Sequence, residues 1–159
     1  MEQLHIDSFT VVGLTARTSN AKEASGNGVI GGLWARFRKD GLLDRIKHRA
    51  DSHIVAVYSE YESDKDGEYT YTLGSKVTSA KDVPAEMVAR RTDSGEYGIF
   101  TAQGGPAIQL VMGLWQRIWS LEKSPRLRRA YRTDFEIYLN PDAEDAGQKV
   151  DVYIGLKRP

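Results

Sequence analysis

The segment GLWARF at residues 32–37 recurs as GLWQRI at residues 113–118, which is 81 positions further along the chain. The segments LGSK at 73–76 and IGLK at 154–157 are separated by the same 81 positions. Two matched pairs at one offset indicate an internal duplication, with repeats at about residues 2–80 and 85–158 of a single domain, 1–159. The duplication is the feature from which we predict the fold.

Each repeat reads as a strand, a helix and then two strands. Apolar residues recur at helical spacing around the tryptophan of each repeated segment, and alternating apolar and polar residues indicate the strands. One such unit has a single apolar face, so two units bury their faces jointly in one sheet. We therefore predict an α+β fold, in which tandem β-α-β-β units form one antiparallel sheet carrying two helices with a cleft between them. The predicted strands are 9–14, 54–61, 68–73, 131–139 and 150–156, with an extended stretch at 87–101 that is interrupted at 93–95. The predicted helices are about 29–37, with Asn27 as N-cap and a further turn at 42–47, and about 106–121.

Composition excludes several classes of function. Basic and acidic residues balance at 22 each, so no overall charge attracts nucleic acid or an anionic membrane. The chain has no cysteine, which excludes disulfides and thiolate metal sites, and it has no secretion signal or apolar run long enough to span a membrane. We expect a cytoplasmic protein without a cofactor. We expect no metal site either, because the three histidines lack metal-ligand spacing.

The second repeat differs from the first in residues that bear on function. At an offset of 81, Glu136 corresponds to Val55, Met112 to Gly31 and Trp119 to Arg38. Glu136 lies in the middle of the alternating strand 131–139. Its carboxylate is either solvated on an open face, paired with Arg132 or Arg90, or held in a pocket that needs a negative charge.

Aromatic residues surround this carboxylate in the predicted fold. Trp115 and Trp119 lie on one flank of the second helix, which faces the core, the cleft or both. Ring faces attract a cation that a buried carboxylate neutralises, whereas a buried acid without a cation tends to be protonated. The chain thus predicts a cleft for an organic cation, and the candidate binding residues are Glu136, Trp115, Trp119, Trp34, Tyr71, Tyr153, Tyr138, Tyr58 and Met112.

The order and spacing of these segments resemble a known family, the effector-binding domain of AraC-type and multidrug-responsive regulators, also called gyrase-inhibitor-like. The resemblance is carried by segments at 32–37, 69–74, 96–101, 134–138 and 152–157, together with Trp115. It implies a ligand cleft between the helices, with Glu136 at its base and Trp115, Tyr71 and Tyr153 beside it. Because this chain leaves no room for a helix-turn-helix domain, it resembles stand-alone, integron-associated members proposed to bind cationic drugs. Many relatives have proline where the last strand has Gly155.

Other interpretations stay open at this point. Some gyrase-inhibitor-like proteins resemble hydrolases of strained cyclopropane compounds, in which a glutamate such as Glu136 handles protons. The chain could also act on a partner protein, as an inhibitor or as the ligand sensor of a separate transcription regulator. The glycine pattern at 26–31 fits G-x-G-x-x-G, but a polar stretch precedes it and a hairpin follows, which argues against a dinucleotide site. The arginines at 126, 128, 129 and 132 read as a solvated face rather than a nucleic-acid site.

Overall fold

Eight strands form one antiparallel sheet in the computed structural model, which describes residues 1–159. The sheet order is β1-β6-β8-β7-β3-β4-β2-β5. None of the helices has the length and the apolar character needed to cross a lipid bilayer. The strands are β1 (Glu2–Ile6), β2 (Thr10–Ser19), β3 (Ile54–Ser59), β4 (Glu68–Val77), β5 (Val88–Arg91), β6 (Gly95–Gln103), β7 (Arg129–Tyr138) and β8 (Lys149–Leu156), and the helices are α1 (Asn20–Ala24), α2 (Ile30–Lys39) and α3 (Ala107–Lys123).

The predicted α+β fold of two β-α-β-β units in one antiparallel sheet is confirmed. The unit β2-α2-β3-β4 occupies one half of the sheet, and the unit β6-α3-β7-β8 occupies the other. The central strands β3 and β7 pair with each other, so Ala56 lies opposite Glu136 and Tyr58 opposite Asp134. Helix α2 packs on β2 and β4, and α3 packs on β6 and β8. The central pair therefore remains as the floor between the two helices.

The two edge strands are exchanged between the halves. Strand β1 precedes β2 in the chain but pairs with β6, and β5 precedes β6 but pairs with β2. In a flat sheet, strands six places apart would be separated by about 29 Å. The linkers 7–9 and 92–94 have three residues each, and each spans at most about 14 Å between its flanking strands. The sheet must therefore curl, and both linkers cross its back face.

Hydrogen bonds join the two crossing linkers. The Phe9 amide donates to Thr92 Oγ1 at 3.1 Å, and the Thr92 amide donates to the Phe9 carbonyl at 2.9 Å. The Ser8 hydroxyl also donates to the Thr92 carbonyl. Phe9 packs edge-on against Phe135 of β7, with the ring centroids 5.0 Å apart. The linkers thus cover a small apolar cluster on the side of the sheet away from the helices.

The register of the hairpins corrects one predicted equivalence. Leu73 lies opposite Ala56, and Ile154 lies opposite Asp134. With Leu73 and Ile154 matched, strand β3 corresponds to β7 at an offset of 134 − 56 = 78 rather than 81. Glu136 then corresponds to Tyr58, because 136 − 78 = 58, and not to Val55. Val55 lies in the cluster on the back face, which is the wrong face for that match.

The main differences from the predicted elements lie near the N-terminus. Strand β1 was not predicted, because its sequence EQLHI lacks a regular apolar alternation. In the structure this edge strand is mostly exposed. Asn27 does not cap α2, whose N-cap is Val29 without a side-chain cap of its own. The Glu23 carboxylate of α1 takes that role by accepting the amides of Val29 at 2.8 Å and Ile30 at 3.3 Å. A carboxylate at a helix N-terminus accepts hydrogen bonds from the free amides and interacts favourably with the positive end of the helix dipole.

Candidate functional site

A cavity of about 730 Å³ lies between α2 and α3, above the central strands. Its lining is mostly apolar, with 14 hydrophobic residues among 21, which suits an organic ligand better than a polar one. Helix α3 supplies one wall and α2 the other, while β3, β4 and β7 supply the floor. The helices contribute Ile30, Gly31, Trp34, Ala107, Ile108, Val111, Met112, Trp115, Gln116 and Trp119, and the floor contributes Tyr58, Tyr69, Tyr71, Glu136 and Tyr138.

Glu136 is the carboxylate at the floor of this cavity, and it is only 2% exposed. Its Oε2 accepts hydrogen bonds from the Tyr58 hydroxyl and from Trp115 Nε1, both at 2.7 Å. Its Oε1 accepts one from the Tyr138 hydroxyl, also at 2.7 Å. The solvated alternative is therefore wrong. The two suggested arginine partners lie elsewhere, since Arg132 pairs with Asp93 and Arg90 with Glu60.

The electrostatic environment of Glu136 is unbalanced. Burial raises the pKa of its carboxyl group, and the hydrogen bonds from Trp115, Tyr58 and Tyr138 oppose that rise in part. All three donors are neutral at ordinary pH, because burial raises the pKa values of Tyr58 and Tyr138 well above their usual value. The carboxylate has hydrogen-bond donors but no cation of the protein beside it. A positive charge brought into the cavity would favour its ionised form.

Aromatic rings surround the carboxylate in a connected set. Tyr58 lies edge-on to Trp115 and to Tyr71, with centroid distances of 5.1 and 5.2 Å. Trp34 lies edge-on to Tyr138 at 4.7 Å, and its Nε1 donates to the Tyr71 hydroxyl at 2.8 Å. These edge-to-face contacts fix the ring orientations and hold several ring faces around one cavity.

The structure brings together eight of the nine predicted site residues at the cavity, namely Glu136, Trp115, Trp119, Trp34, Tyr71, Tyr138, Tyr58 and Met112. Trp115 is both a core residue and a cavity residue, since its side chain is 9% exposed while its indole N–H reaches Glu136. Met112 is 56% exposed and lies at the rim.

The placement of Tyr153 in the cavity is wrong. Tyr153 lies opposite Phe135 in the β7–β8 register, whereas Glu136 lies opposite Val152. Because side chains alternate between the faces of a strand, Tyr153 points to the back of the sheet. Its ring stacks on Phe135 there, with the centroids 4.5 Å apart.

The sequence interpretation missed a buried ion pair at the end of the cavity. Arg129, only 4% exposed, lines the cavity and donates to Asp134 at 2.7 Å. Asp134 also accepts from the Tyr61 hydroxyl at 2.5 Å and from the Gly155 amide at 2.8 Å. The Arg129 guanidinium packs over Tyr131 at 4.2 Å and over Trp115 at 5.4 Å. The prediction that Arg129 belongs to a solvated basic run is therefore wrong, and the signal in the sequence for its partner is Asp134, two residues before Glu136 on the same strand face.

Comparisons with known proteins agree over nearly the whole chain. The model of the Cass2 family, described as integron-associated effector binding protein, matches residues 4–156. The Bacillus subtilis (strain 168) protein YobU, named as a candidate transcriptional regulator, is 30% identical over 155 residues, which cover 97% of this chain and 96% of YobU.

Solved structures of similar fold include two of particular interest. The integron cassette protein VCH_CASS2 from the mobile metagenome of Vibrio cholerae is 28% identical, with a TM-score of 0.80 over 98% of this chain and 95% of its own. The structure of SAV2435 bound to tetraphenylphosphonium is 18% identical, with a TM-score of 0.77 over 98% of this chain and 93% of its own. The second likeness is one of fold.

Proposed function

Because this chain belongs to the Cass2 family of integron-associated effector binding proteins, we propose that it binds a lipophilic organic cation in the cavity between α2 and α3. The Glu136 carboxylate compensates the positive charge of the ligand, and the aromatic walls hold its apolar body.

The observation that carries this proposal is a buried carboxylate without a cationic partner inside an aromatic cavity. Removing a carboxylate from water is unfavourable in free energy unless it is paired with a cation. For Glu136, three neutral hydrogen-bond donors offset only part of this desolvation penalty. A ligand cation supplies the missing charge. By contrast, the other buried acid nearby, Asp134, already has Arg129.

The shape of the cavity suits the same class of ligand. A volume of about 730 Å³ lies within the range of drug-sized binding sites. Each ring face presented to a cation adds roughly 0.5 to 2 kcal/mol of attraction, depending on how far the cation is desolvated. An apolar cation with several aromatic groups would satisfy both the charge of Glu136 and the indole and phenol walls.

Two relatives support the proposal. SAV2435, which shares the fold, has a structure bound to tetraphenylphosphonium, a large aromatic cation. The name of YobU favours transcription regulation as the setting in which binding is used. The first supports the class of ligand proposed for this chain, and the second supports a role in transcription regulation.

A matched pair of ligands tests the proposal. Methyltriphenylphosphonium is a cation, and triphenylphosphine oxide is a neutral molecule of similar shape. Quenching of tryptophan fluorescence should report tighter binding of the cation by at least tenfold, because Trp115, Trp119 and Trp34 line the cavity. Equal affinities, or no saturable quenching by either compound, would count against the proposal.

A further inference from the structure

The hydrogen bonds on Glu136 leave little room for a further donor. An ionised carboxylate offers about four lone-pair sites, two on each oxygen. Tyr58 and Trp115 occupy both sites of Oε2, and Tyr138 occupies one site of Oε1. One site remains on Oε1. In its ionised form the carboxylate has therefore lost most of its capacity to accept hydrogen bonds from a ligand.

The three donors are held in place by the surrounding packing. Tyr58 and Trp115 are each 9% exposed and lie edge-on to one another, while Tyr138 is 5% exposed and lies against Trp34. Rotating any of these rings away from Glu136 would break a close-packed contact. The donors thus stay on the carboxylate when a ligand enters.

We propose, building on the function proposed above, that this cavity selects cations without N–H groups, such as quaternary ammonium and phosphonium ions, over protonated primary amines that carry the same aromatic group. A protonated amine gives up hydrogen bonds to water on entry and needs charged acceptors in return. Beside Glu136 it finds one free carboxylate site and neutral phenol oxygens. The second carboxylate that lines the cavity, Glu23, already accepts hydrogen bonds from Thr18, Val29 and Ile30. A quaternary cation has no such bonds to lose, and it is attracted by charge and ring faces alone.

Tyr138 is the specificity-determining residue in this scheme, because it is the one donor to Oε1. The substitution Tyr138→Phe keeps the ring against Trp34 and frees a second site on Oε1. The substitution Tyr58→Phe likewise frees one site on Oε2, where Trp115 remains. Either variant should improve the binding of a protonated amine relative to its quaternary analogue.

Isothermal titration calorimetry at pH 7 with three probes tests this inference. The first two are 1-naphthylmethylamine, which is protonated at this pH and then carries three N–H groups, and the (1-naphthylmethyl)trimethylammonium ion. The third is tetraphenylphosphonium, which reports on the proposed function itself. In the wild type the quaternary ion should bind at least tenfold more tightly than the amine. In Tyr138→Phe and Tyr58→Phe that ratio should fall at least threefold. The three additional methyl groups of the quaternary ion enter the same cavity in the wild type and in both variants, so their contribution cancels when the ratios are compared.

The outcomes separate the two claims. Binding of tetraphenylphosphonium with the same amine-to-quaternary ratio in the wild type and in both variants would overturn the selectivity and leave the proposed function standing. Failure of all three probes to bind the wild type would overturn both. Thermal unfolding identifies a variant that does not fold, in which case the other variant gives the answer.

Discussion

Glu136 is subject to two opposing influences at the scale of the residue. Burial favours its protonated form, and three hydrogen bonds favour its ionised form. The effect of burial is the larger one, so the pKa of the Glu136 carboxyl group in the ligand-free protein lies above the usual value of 4.5. A bound cation adds a third influence on the side of ionisation. Ligand binding and proton release from Glu136 are consequently linked.

This linkage predicts that cation affinity depends on pH. Below the pKa of Glu136 the carboxyl group is neutral and attracts a cation weakly, so affinity should rise with pH and level off above the pKa. The increase should approach tenfold per pH unit on the acidic side. Methyltriphenylphosphonium is a suitable probe because its charge is permanent, and fluorescence titrations between pH 4 and pH 9 give the profile.

The matched control is Glu136→Gln, whose affinity should be low and independent of pH over the same range. The tyrosines of the cavity do not contribute, since burial raises the pKa values of Tyr58, Tyr71 and Tyr138 and they stay neutral. A flat profile in the wild type would contradict the linkage.

Much of the cavity lining could be predicted from the sequence, and the failures have specific causes. Glu136 and Tyr138 share a face because they are two residues apart on one strand. The placement of Tyr153 in the cavity was wrong because the face on which Tyr153 lies relative to Glu136 depends on the β7–β8 register. The sequence does not determine that register across an acidic loop. The burial of Arg129 was missed because an arginine that is buried in an ion pair cannot be distinguished by sequence from one that is solvated.

At the scale of elements, the neighbouring antiparallel strands β2 and β4 approach closely at one point. Gly13 and Gly74 lie opposite each other in the register. An added Cβ at Gly74 would overlap the carbonyl oxygen of Val12, and one at Gly13 would overlap that of Leu73. Only glycine fits at this crossing without a backbone shift, which explains the glycine in the repeated LGSK segment.

The substitution Gly74→Ala should lower the free energy of unfolding by about 2 to 3 kcal/mol, because the backbone must move to admit the methyl group. Gly113→Ala is the matched control. Gly113 lies in the middle of α3, and nothing is within 4 Å of its added Cβ. There alanine should raise stability by up to about 1 kcal/mol, through its higher helix propensity. Urea unfolding measures both changes, and similar effects at the two sites would contradict the close approach.

At the scale of the whole molecule, the exchanged edge strands tie the two halves together. Each half completes the sheet of the other, and the linkers 7–9 and 92–94 hydrogen-bond where they cross. The duplication could be predicted from repeated segments. The exchange could not, because β1 carries a mostly polar, exposed sequence that gives little indication of a strand or of its partner.

The exchange predicts that the protein unfolds as one unit. Calorimetry should give equal calorimetric and van't Hoff enthalpies, since neither half can keep its edge strand alone.

The substitution Thr92→Val removes the hydroxyl that accepts a hydrogen bond from the Phe9 amide. It should lower the free energy of unfolding by about 1 to 3 kcal/mol. Thr101→Val, at an exposed position on β6, should change stability by no more than about 0.5 kcal/mol. Two separate transitions would show that the halves fold independently.

The most direct test of the account is the charge preference of Glu136→Gln. The ratio of affinities for methyltriphenylphosphonium and triphenylphosphine oxide should be at least tenfold in the wild type and should fall at least threefold in this variant, where the ring faces alone favour the cation. Asp151→Asn is the matched control, because it removes one carboxylate from the adjacent strand β8 on the opposite face of the sheet. That control should keep the wild-type ratio. An unchanged ratio in a folded Glu136→Gln variant would show that the buried carboxylate does not compensate the charge of the ligand.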